Sequence, residues 1–328
     1  MTIPMAPAEH GRSTHTLAGG MRVTTYHPAK KLDLASASNE DLADVGLPAR
    51  PDDEHQRARY DRVLHQLRDK FNYIPATLRQ NPEIQHRPRQ TKAGPTANTA
   101  TAGTETSTNW SGGVVAAPAG KSFSWVQGDW VIPDVDAPTD NQWYYAASWI
   151  GIDGDGSGDV CQAGIQSAVF RSGGSVTRVI YPWWEWFPEP EIQITNLPVN
   201  PGDMITALLC TSGAGATSAS VFLTNRTTGD STSVSFSAPT GTSLVGNCAE
   251  WIVEAPTVNG QQSAMADYGQ VFFSVCEAFL GTIAAGGTTV DGGTGDNINM
   301  NDSAGHEVSS GGLVTGTVVQ CEYVGALP

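Results

Sequence analysis

The feature that most constrains this chain is a missing period. Across residues 109–328 apolar side chains recur in short alternating runs, separated by Gly, Ser, Thr, Asn and Asp, and no stretch carries a convincing helical spacing. A long body of short strands at regular spacing predicts a single all-β sandwich or barrel. One hairpin is legible within it: Ser220–Thr224 and Ser233–Ser237 bracket the turn-rich Asn225-Arg226-Thr227-Thr228-Gly229-Asp230.

Charge divides the chain in two. Residues 1–108 hold 14 Lys+Arg and 12 Asp+Glu, a net of +2, whereas residues 109–328 hold 4 and 21, a net of −17. The four cations of the body are Lys121, Arg171, Arg178 and Arg226. Such a body would repel phosphate, which excludes nucleic acid as a partner. Protonation of its carboxylates would relieve its self-repulsion, so the composition suits work in acid.

The basic leader has its own organisation. Residues 1–50 read as irregular or partly disordered. Tyr60, Val63, Leu64, Leu67 and Phe71 then fall at helical spacing behind Asp52, Asp53 and Glu54, predicting an amphipathic helix over about 52–71. Residues 87–108 read as a flexible linker open to proteolysis. The domain expectation is therefore a leader over 1–108 and an acidic body over 109–328. No apolar run is long enough to span a membrane, and the first thirty residues hold no apolar stretch fit to be a signal peptide.

The body has few groups with which to do chemistry. Six of seven histidines lie in the leader, leaving only His306, in a polar loop. There is no G-x-S-x-G elbow, no H-E-x-x-H zinc motif and no Asp-Thr-Gly or Asp-Ser-Gly. The five cysteines (Cys161, Cys210, Cys248, Cys276, Cys321) fit no zinc pattern, and two disulfides with one free thiol are expected of a monomer. Asp153, Asp155, Ser157 and Asp159 take the odd positions of a calcium loop, but Gly164 stands where the bidentate Glu is needed. Neither a metal nor a cofactor is expected, so catalysis would rest on carboxylates and amides.

Three stretches offer such groups. In Asn247-Cys248-Ala249-Glu250-Trp251-Ile252-Val253-Glu254, a strand would bury Ala249, Trp251 and Val253 and turn Glu250 and Glu254 to the far face. In Val160–Ser167, Gln162 and Gln166 share a face, and an amide aimed into a cleft can hold an oxyanion. In Trp183-Trp184-Glu185-Trp186-Phe187, Glu185 stands between Trp183 and Phe187 on one face, where desolvation raises a carboxyl pKa. Glu250 and Glu254, about 13 Å apart along a strand, cannot form a glycosidase pair, but Glu185 with Glu250 could.

Taken in order, Asn-Trp-Ser-Gly-Gly (109–113), Trp-Ile-Gly-Ile-Asp-Gly (149–154), Gln-Ala-Gly (162–164), Trp-Trp-Glu-Trp-Phe-Pro (183–188) and Ala-Glu-Trp-Ile-Val-Glu (249–254) resemble the eqolisins, the glutamic peptidases first known from fungi. The resemblance runs from Asn109 to about Val324. It implies an antiparallel two-sheet sandwich of lectin-like, jelly-roll form. It also implies a catalytic dyad of Gln162, holding the oxyanion, and Glu250, acting as general base and then acid. Trp149, Asp153 and Glu185 match supporting cleft residues, and Trp183 stands with them. The stretch from Asp155 to Gln162 and the cysteine positions depart from the fungal pattern, which bears on loop shape and disulfides. The resemblance further implies a secreted, acid-acting, pepstatin-insensitive endopeptidase. Its substrates would be polypeptides, and residues 1–108 would be an inhibitory propeptide whose cations leave the acidic cleft as it protonates. A lectin-like sugar-binding module and a carboxylate-pair glycosidase are the alternatives on such a fold.

Overall fold

The computed structural model describes residues 11–34, 36–52, 54–67, 71–91, 103–282 and 286–325. The leader contributes β1 (Arg12–Thr16), β2 (Arg22–Tyr26), α1 (Asn39–Asp44), α2 (Glu54–Leu67), β3 (Asn72–Tyr73), β4 (Leu78–Gln80) and β5 (Ile84–Gln85). The body opens with β6 (Thr104–Ser107), β7 (Trp110–Ala116), β8 (Phe123–Val131), β9 (Trp143–Asp153), β10 (Val160–Ser172), β11 (Ser175–Trp186) and β12 (Ile192–Ile194). It continues through β13 (Met204–Thr211), β14 (Ser218–Asn225), β15 (Asp230–Ser237) and β16 (Cys248–Glu254). Three short strands follow, β17 (Thr257–Val258), β18 (Gln261–Gln262) and β19 (Ala264–Met265). The chain ends with β20 (Gln270–Thr282), β21 (Gly286–Asp291), β22 (Asp296–Asn301), β23 (Glu307–Thr315) and β24 (Val318–Tyr323). No helix among the described residues is long and apolar enough to cross a membrane.

The strands form the expected sandwich. In the front sheet β12, β11, β10, β9, β16, β7 and β22 follow one another, every pair antiparallel. In the back sheet the order is β15, β14, β13, β8, β20, β21, again antiparallel. The hairpin read at 225–230 is the β14–β15 turn. One strand belongs to both sheets: β20 pairs with β24 through Phe273 and with β8 from Ser274 onward. Its register slips between Ser274 and Glu277, where Val275 has φ 53°. A bulge of this kind turns a strand out of one sheet and into the other.

Alternation fills the core between the sheets. Ile150 and Ile152 of β9, Ala163 and Ile165 of β10, Trp184 and Trp186 of β11 and Trp251 of β16 all point inward and are fully buried. The Trp184 ring stacks on Phe236 of the back sheet at 3.9 Å, and Trp251 Nε1–H donates to the Gln127 carbonyl at 2.7 Å. Such polar satisfaction lets a large aromatic be buried without an orphaned donor.

The leader is more ordered than its sequence suggests. β1 and β2 form a hairpin that extends the back sheet beyond β15, and β4 extends the front sheet beyond β12. Residues 1–50 were expected to be irregular because edge strands take their stability from a partner distant in sequence. The helix α2 runs Glu54–Leu67 rather than 52–71; residues 68–70 lie outside the described residues, and Phe71 is buried beyond the helix. Leu34, Leu42, Tyr60, Leu64 and Phe71 pack against Trp125, Leu208, Phe222 and Phe279, on the face of the back sheet turned away from the core. Of the linker expected over 87–108, residues 87–91 are held against the body, 92–102 lie outside the described residues, and 104–107 pair with β22. The cysteines correct another expectation: all five are buried free thiols. They lie on five separate strands, β10, β13, β16, β20 and β24.

Candidate active site

Four neighbouring strands of the front sheet align the polar residues read from the sequence. Register pairs Glu250 of β16 with Gly151 of β9, Gly151 with Gln162 of β10, and Gln162 with Glu185 of β11. Two residues along, and so on the same face, Ile252, Trp149, Gly164 and Trp183 make the next row. Glu254, Ala147, Gln166 and Tyr181 make the third. Gln162 and Glu250 therefore face the same space from strands two apart, about 10 Å between Cα atoms.

Gly151 keeps that space open. A Cβ there would lie 2.6 Å from Glu250 Oε1 and 2.8 Å from the Trp149 ring. Gly151→Ala will cost about 1–3 kcal/mol of stability by overpacking. It will also displace the Glu250 carboxylate, and a reaction that depends on that carboxylate will slow about 100-fold. Thermal melts and initial rates check the two effects separately.

The sequence turns Glu250 and Glu254 together to the far face of β16. Glu250 and Glu254 are both completely buried, and the leader crosses the face as a strap over Glu254. Its β5 pairs with β17, and the next residue, His86, enters the site. His86 N–H donates to both oxygens of Glu185, at 3.1 and 3.0 Å, and its carbonyl accepts from Gln162 Nε2–H at 2.7 Å. Its imidazole lies flat on Trp183, with ring centroids 3.6 Å apart and planes 4° apart. Nδ1 meets Glu254 Oε2 at 3.0 Å and Nε2 meets Glu191 Oε2 at 3.1 Å. Arg87 N–H donates to Glu254 Oε1 at 3.2 Å, and Asn109 Nδ2–H donates to the carbonyls of Arg87 and Pro88 at 3.2 and 3.3 Å. Arg89 closes the strap against Asp155 at 2.7 Å and Glu105 at 2.5 Å.

Each remaining predicted residue has a definite place. Trp149 Nε1–H donates to Glu254 Oε2 at 3.0 Å. The Asp153 carboxylate accepts three backbone N–H groups, from Val245, Gly246 and Asn247, at 2.6–3.0 Å, and so pins the turn that leads into β16. Asp153 and Asp155 are thus committed to a backbone turn and to Arg89. Gln166 donates to the Ser167 carbonyl at 2.8 Å, which leaves Gln162 as the amide engaged in the site. Trp183 is the floor beneath His86, while Phe187 falls beyond the end of β11. His306 meets Asp302 on the surface.

The electrostatics separate the carboxylates. Burial pushes the Glu250 pKa well above the ordinary range, with Asp153 adding to the rise. Neither Glu250 oxygen, nor Gln162 Oε1, has a hydrogen-bond partner among the described residues. Burial also raises Glu185, against the opposing pull of His86. Burial alone would lower His86, but its bonds to Glu191 and Glu254 overcome it and raise the imidazole to about 10. Glu185 and Glu250 stand three strands apart, about 14 Å between Cα atoms, and Glu185 is turned to the His86 amide. The carboxylate pair considered for a glycosidase is therefore not formed.

The peptidase A4 family model matches residues 108–323. This chain belongs to the peptidase A4 family, the eqolisins. Among curated relatives of this eqolisin, aspergillopepsin-2 of Aspergillus niger is 29% identical over 238 residues, covering 67% of this chain and 79% of that protein. Scytalidopepsin B of Scytalidium lignicola is 27% identical over 223 residues, covering 66% and 78%. A crystal structure of scytalido-glutamic peptidase with a transition state analog inhibitor matches at 25% identity and a TM-score of 0.55, covering 66% of this chain and 98% of that one. The sandwich of the eqolisin is thus the fold of solved glutamic peptidases, and kinship supports a peptide hydrolase.

The sequence names Gln162, Glu250, Trp149, Asp153, Trp183 and Glu185 as candidates, and the structure sets beside them His86, Glu191 and Asn109, which the sequence does not name. Asn109 lay inside the first motif, and Glu191 follows shortly after Trp-Trp-Glu-Trp-Phe-Pro. His86 carried only the weak signal of a His-Arg-Pro-Arg run preceding an acidic body.

Proposed function

We propose that this eqolisin is an acid-acting endopeptidase made as a zymogen, with Gln162 and Glu250 as its dyad and residues 1–108 as its inhibitory prosegment. One observation carries the reading. The Gln162 amide already donates to a backbone carbonyl, and a buried, unpartnered carboxylate faces the same space. In hydrolysis Glu250 takes a proton from water as the water oxygen bonds to the scissile carbon. Gln162 Nε2–H holds the oxyanion, and Glu250 returns the proton to the departing amine as the C–N bond breaks.

The base must be ionised to begin, and the strap controls this. Beneath the strap Glu250 is desolvated and its proton is held. Withdrawal of residues 84–90 admits water, lowers that pKa and arms the base. The strap is held by His86 among Glu185, Glu191 and Glu254 and by Arg89 on Asp155 and Glu105. Acid lessens the net negative charge of the body, −17 over residues 109–328, that faces the leader's cations. Release therefore runs from neutral to acid pH. Inhibition of the processed enzyme by a leader peptide will weaken between about pH 7 and pH 3.5, the span of carboxylate titration. An inhibition constant unchanged over that span would remove the charge mechanism.

A stability measurement tests the buried acid in the intact chain. A folded-state pKa raised above the unfolded value of about 4.3 means that ionisation opposes folding. The penalty is absent below about pH 4 and grows as pH rises toward the folded pKa. Glu250→Gln will therefore melt with the parent near pH 3.5 and above it near pH 7. Digestion of an unfolded protein from acid to neutral pH, with and without pepstatin, tests the activity. Pepstatin-resistant cleavage that peaks in acid is expected, and glycan binding without cleavage would transfer the case to a lectin-like module. Export from the cell belongs to the same reading.

A further inference from the structure

We propose that the leader is two devices, and that residues 11–73 stay on the back sheet as a bound second chain once the chain is cut and the strap lets go. The inference takes from the zymogen reading only that a cut separates leader from body. The binding it asserts does not depend on Gln162 or Glu250.

The two parts of the leader meet the sandwich by different chemistry. Residues 84–90 cross the front sheet, and their charged side chains meet carboxylates: Glu191 and Glu254 at His86, Asp155 and Glu105 at Arg89. Residues 11–73 meet the back sheet through backbone and apolar side chains. Tyr60, Leu64 and Phe71 share one buried cluster with Trp125, Phe222 and Phe279, and the Phe71 ring stacks on Phe222 at 6.3 Å. At the sheet edge β2 pairs with β15 over Val23–Thr25, and β3 pairs with it at Asn72 and Tyr73. Hydroxyls tie the seam, with Tyr26 Oη 2.6 Å from Ser235 Oγ and Tyr73 Oη 2.8 Å from Ser233 Oγ.

The ion pairs around this seat stay on one side of it or the other. Arg50 holds Asp61 and Lys30 holds Asp41 within the leader, while Arg226 holds Asp129 within the body. Gln127 donates to Glu277 across the body's own strands, Cys210 is a buried thiol, and Asp230 accepts from Asn72 on the surface. His15 lies on β1, one strand removed from the seam, His27 stands beside Thr25, and His65 is exposed on α2. Apolar contacts, backbone pairs and hydroxyls do not titrate between about pH 7 and pH 3.5. The drop in pH that favours release of the strap therefore leaves this seat in place.

Departure of residues 11–73 would also uncover what they hide. Trp125, Leu208, Phe222 and Phe279 project from four adjacent strands of the back sheet. Laid bare, they would form an apolar patch on the order of several hundred Å², a size that monomeric soluble proteins rarely expose. The family model begins at residue 108, so the chain that covers this patch lies outside it.

The test cuts the full chain without help from its own activity, at a site-specific protease sequence inserted after Asn98. The cut protein is gel-filtered at about pH 7 and pH 3.5, and each peak is read by mass spectrometry. A fragment containing residues 11–73 should elute with the body in equal amount at both pH values, and should do so also in His86→Ala, where the strap is loosened. Leu64→Ala, which leaves the body's strands unaltered, should speed release of the fragment on dilution by about 10²–10³-fold, the scale of one truncated core side chain. Departure of the fragment from the cut parent, whether the body then stays monomeric or aggregates, overturns the proposal. So does its departure from His86→Ala, which would place all the binding in the strap; if that variant does not fold, excess free strap peptide (residues 84–90) added to the cut parent replaces it, with the same two outcomes. Neither result touches the dyad. A cut protein that keeps the fragment yet cleaves no peptide in acid would count against the dyad and not against the seat.

Discussion

Glu250→Gln will abolish peptide hydrolysis, lowering kcat by at least about 10²–10⁴, the contribution of a positioned general base, while the fold persists. The substitution preserves shape and replaces a buried acid, whose oxygens have no hydrogen-bond partner among the described residues, by a neutral amide. Ala249, Trp251 and Val253, which anchor β16 in the core, are untouched. Activity loss with an unchanged or raised melting temperature at neutral pH is the expected pair of results. A folded variant with parental activity would move the catalytic carboxylate elsewhere, to Glu185 first.

The second large effect concerns the leader. His86→Ala removes a ring that two buried carboxylates, Glu191 and Glu254, bracket over one indole. Breaking one partner out of a buried ion pair costs about 3–5 kcal/mol, because the remaining charges stay desolvated. Strap docking should weaken by about 10²–10³-fold or more. Progress curves of the intact parent in acid will show a lag while the leader is cut and released. Those of His86→Ala will begin at full rate. Arg89→Ala, whose partners are part-exposed, should shorten the lag less. A lag of parental length in His86→Ala would mean that the strap is held elsewhere.

Much of this arrangement was legible in local sequence. Alternation assigned Trp251 to the core and Glu250 to the opposite face of β16, and both are placed so. The turn residues 225–230 gave the β14–β15 hairpin. Period-two patterning and turn chemistry are local properties, so one sequence suffices to read them. The remainder depends on contacts between distant segments. The cover of Glu254 was not legible because His86 lies 168 residues away along the chain. The order of β1 and β2 comes from pairing with β15, a partner that the leader's own composition does not reveal. The thiols were read by spacing, whereas burial on separate strands decides their state. The glycosidase pair failed for the same reason: residue types allowed Glu185 with Glu250, and sheet register separated them.

The central claim is that Gln162 and Glu250 act together on one carbonyl, and a double-mutant cycle tests it most directly. Hydrolysis of one peptide would be measured in acid for the processed parent, Gln162→Ala, Glu250→Gln and the double variant. Groups acting as a unit are strongly non-additive. The account predicts that each single variant loses activity and that the double variant falls no further than Glu250→Gln alone. Losses that multiply, or a Gln162→Ala variant as active as the parent, would contradict it.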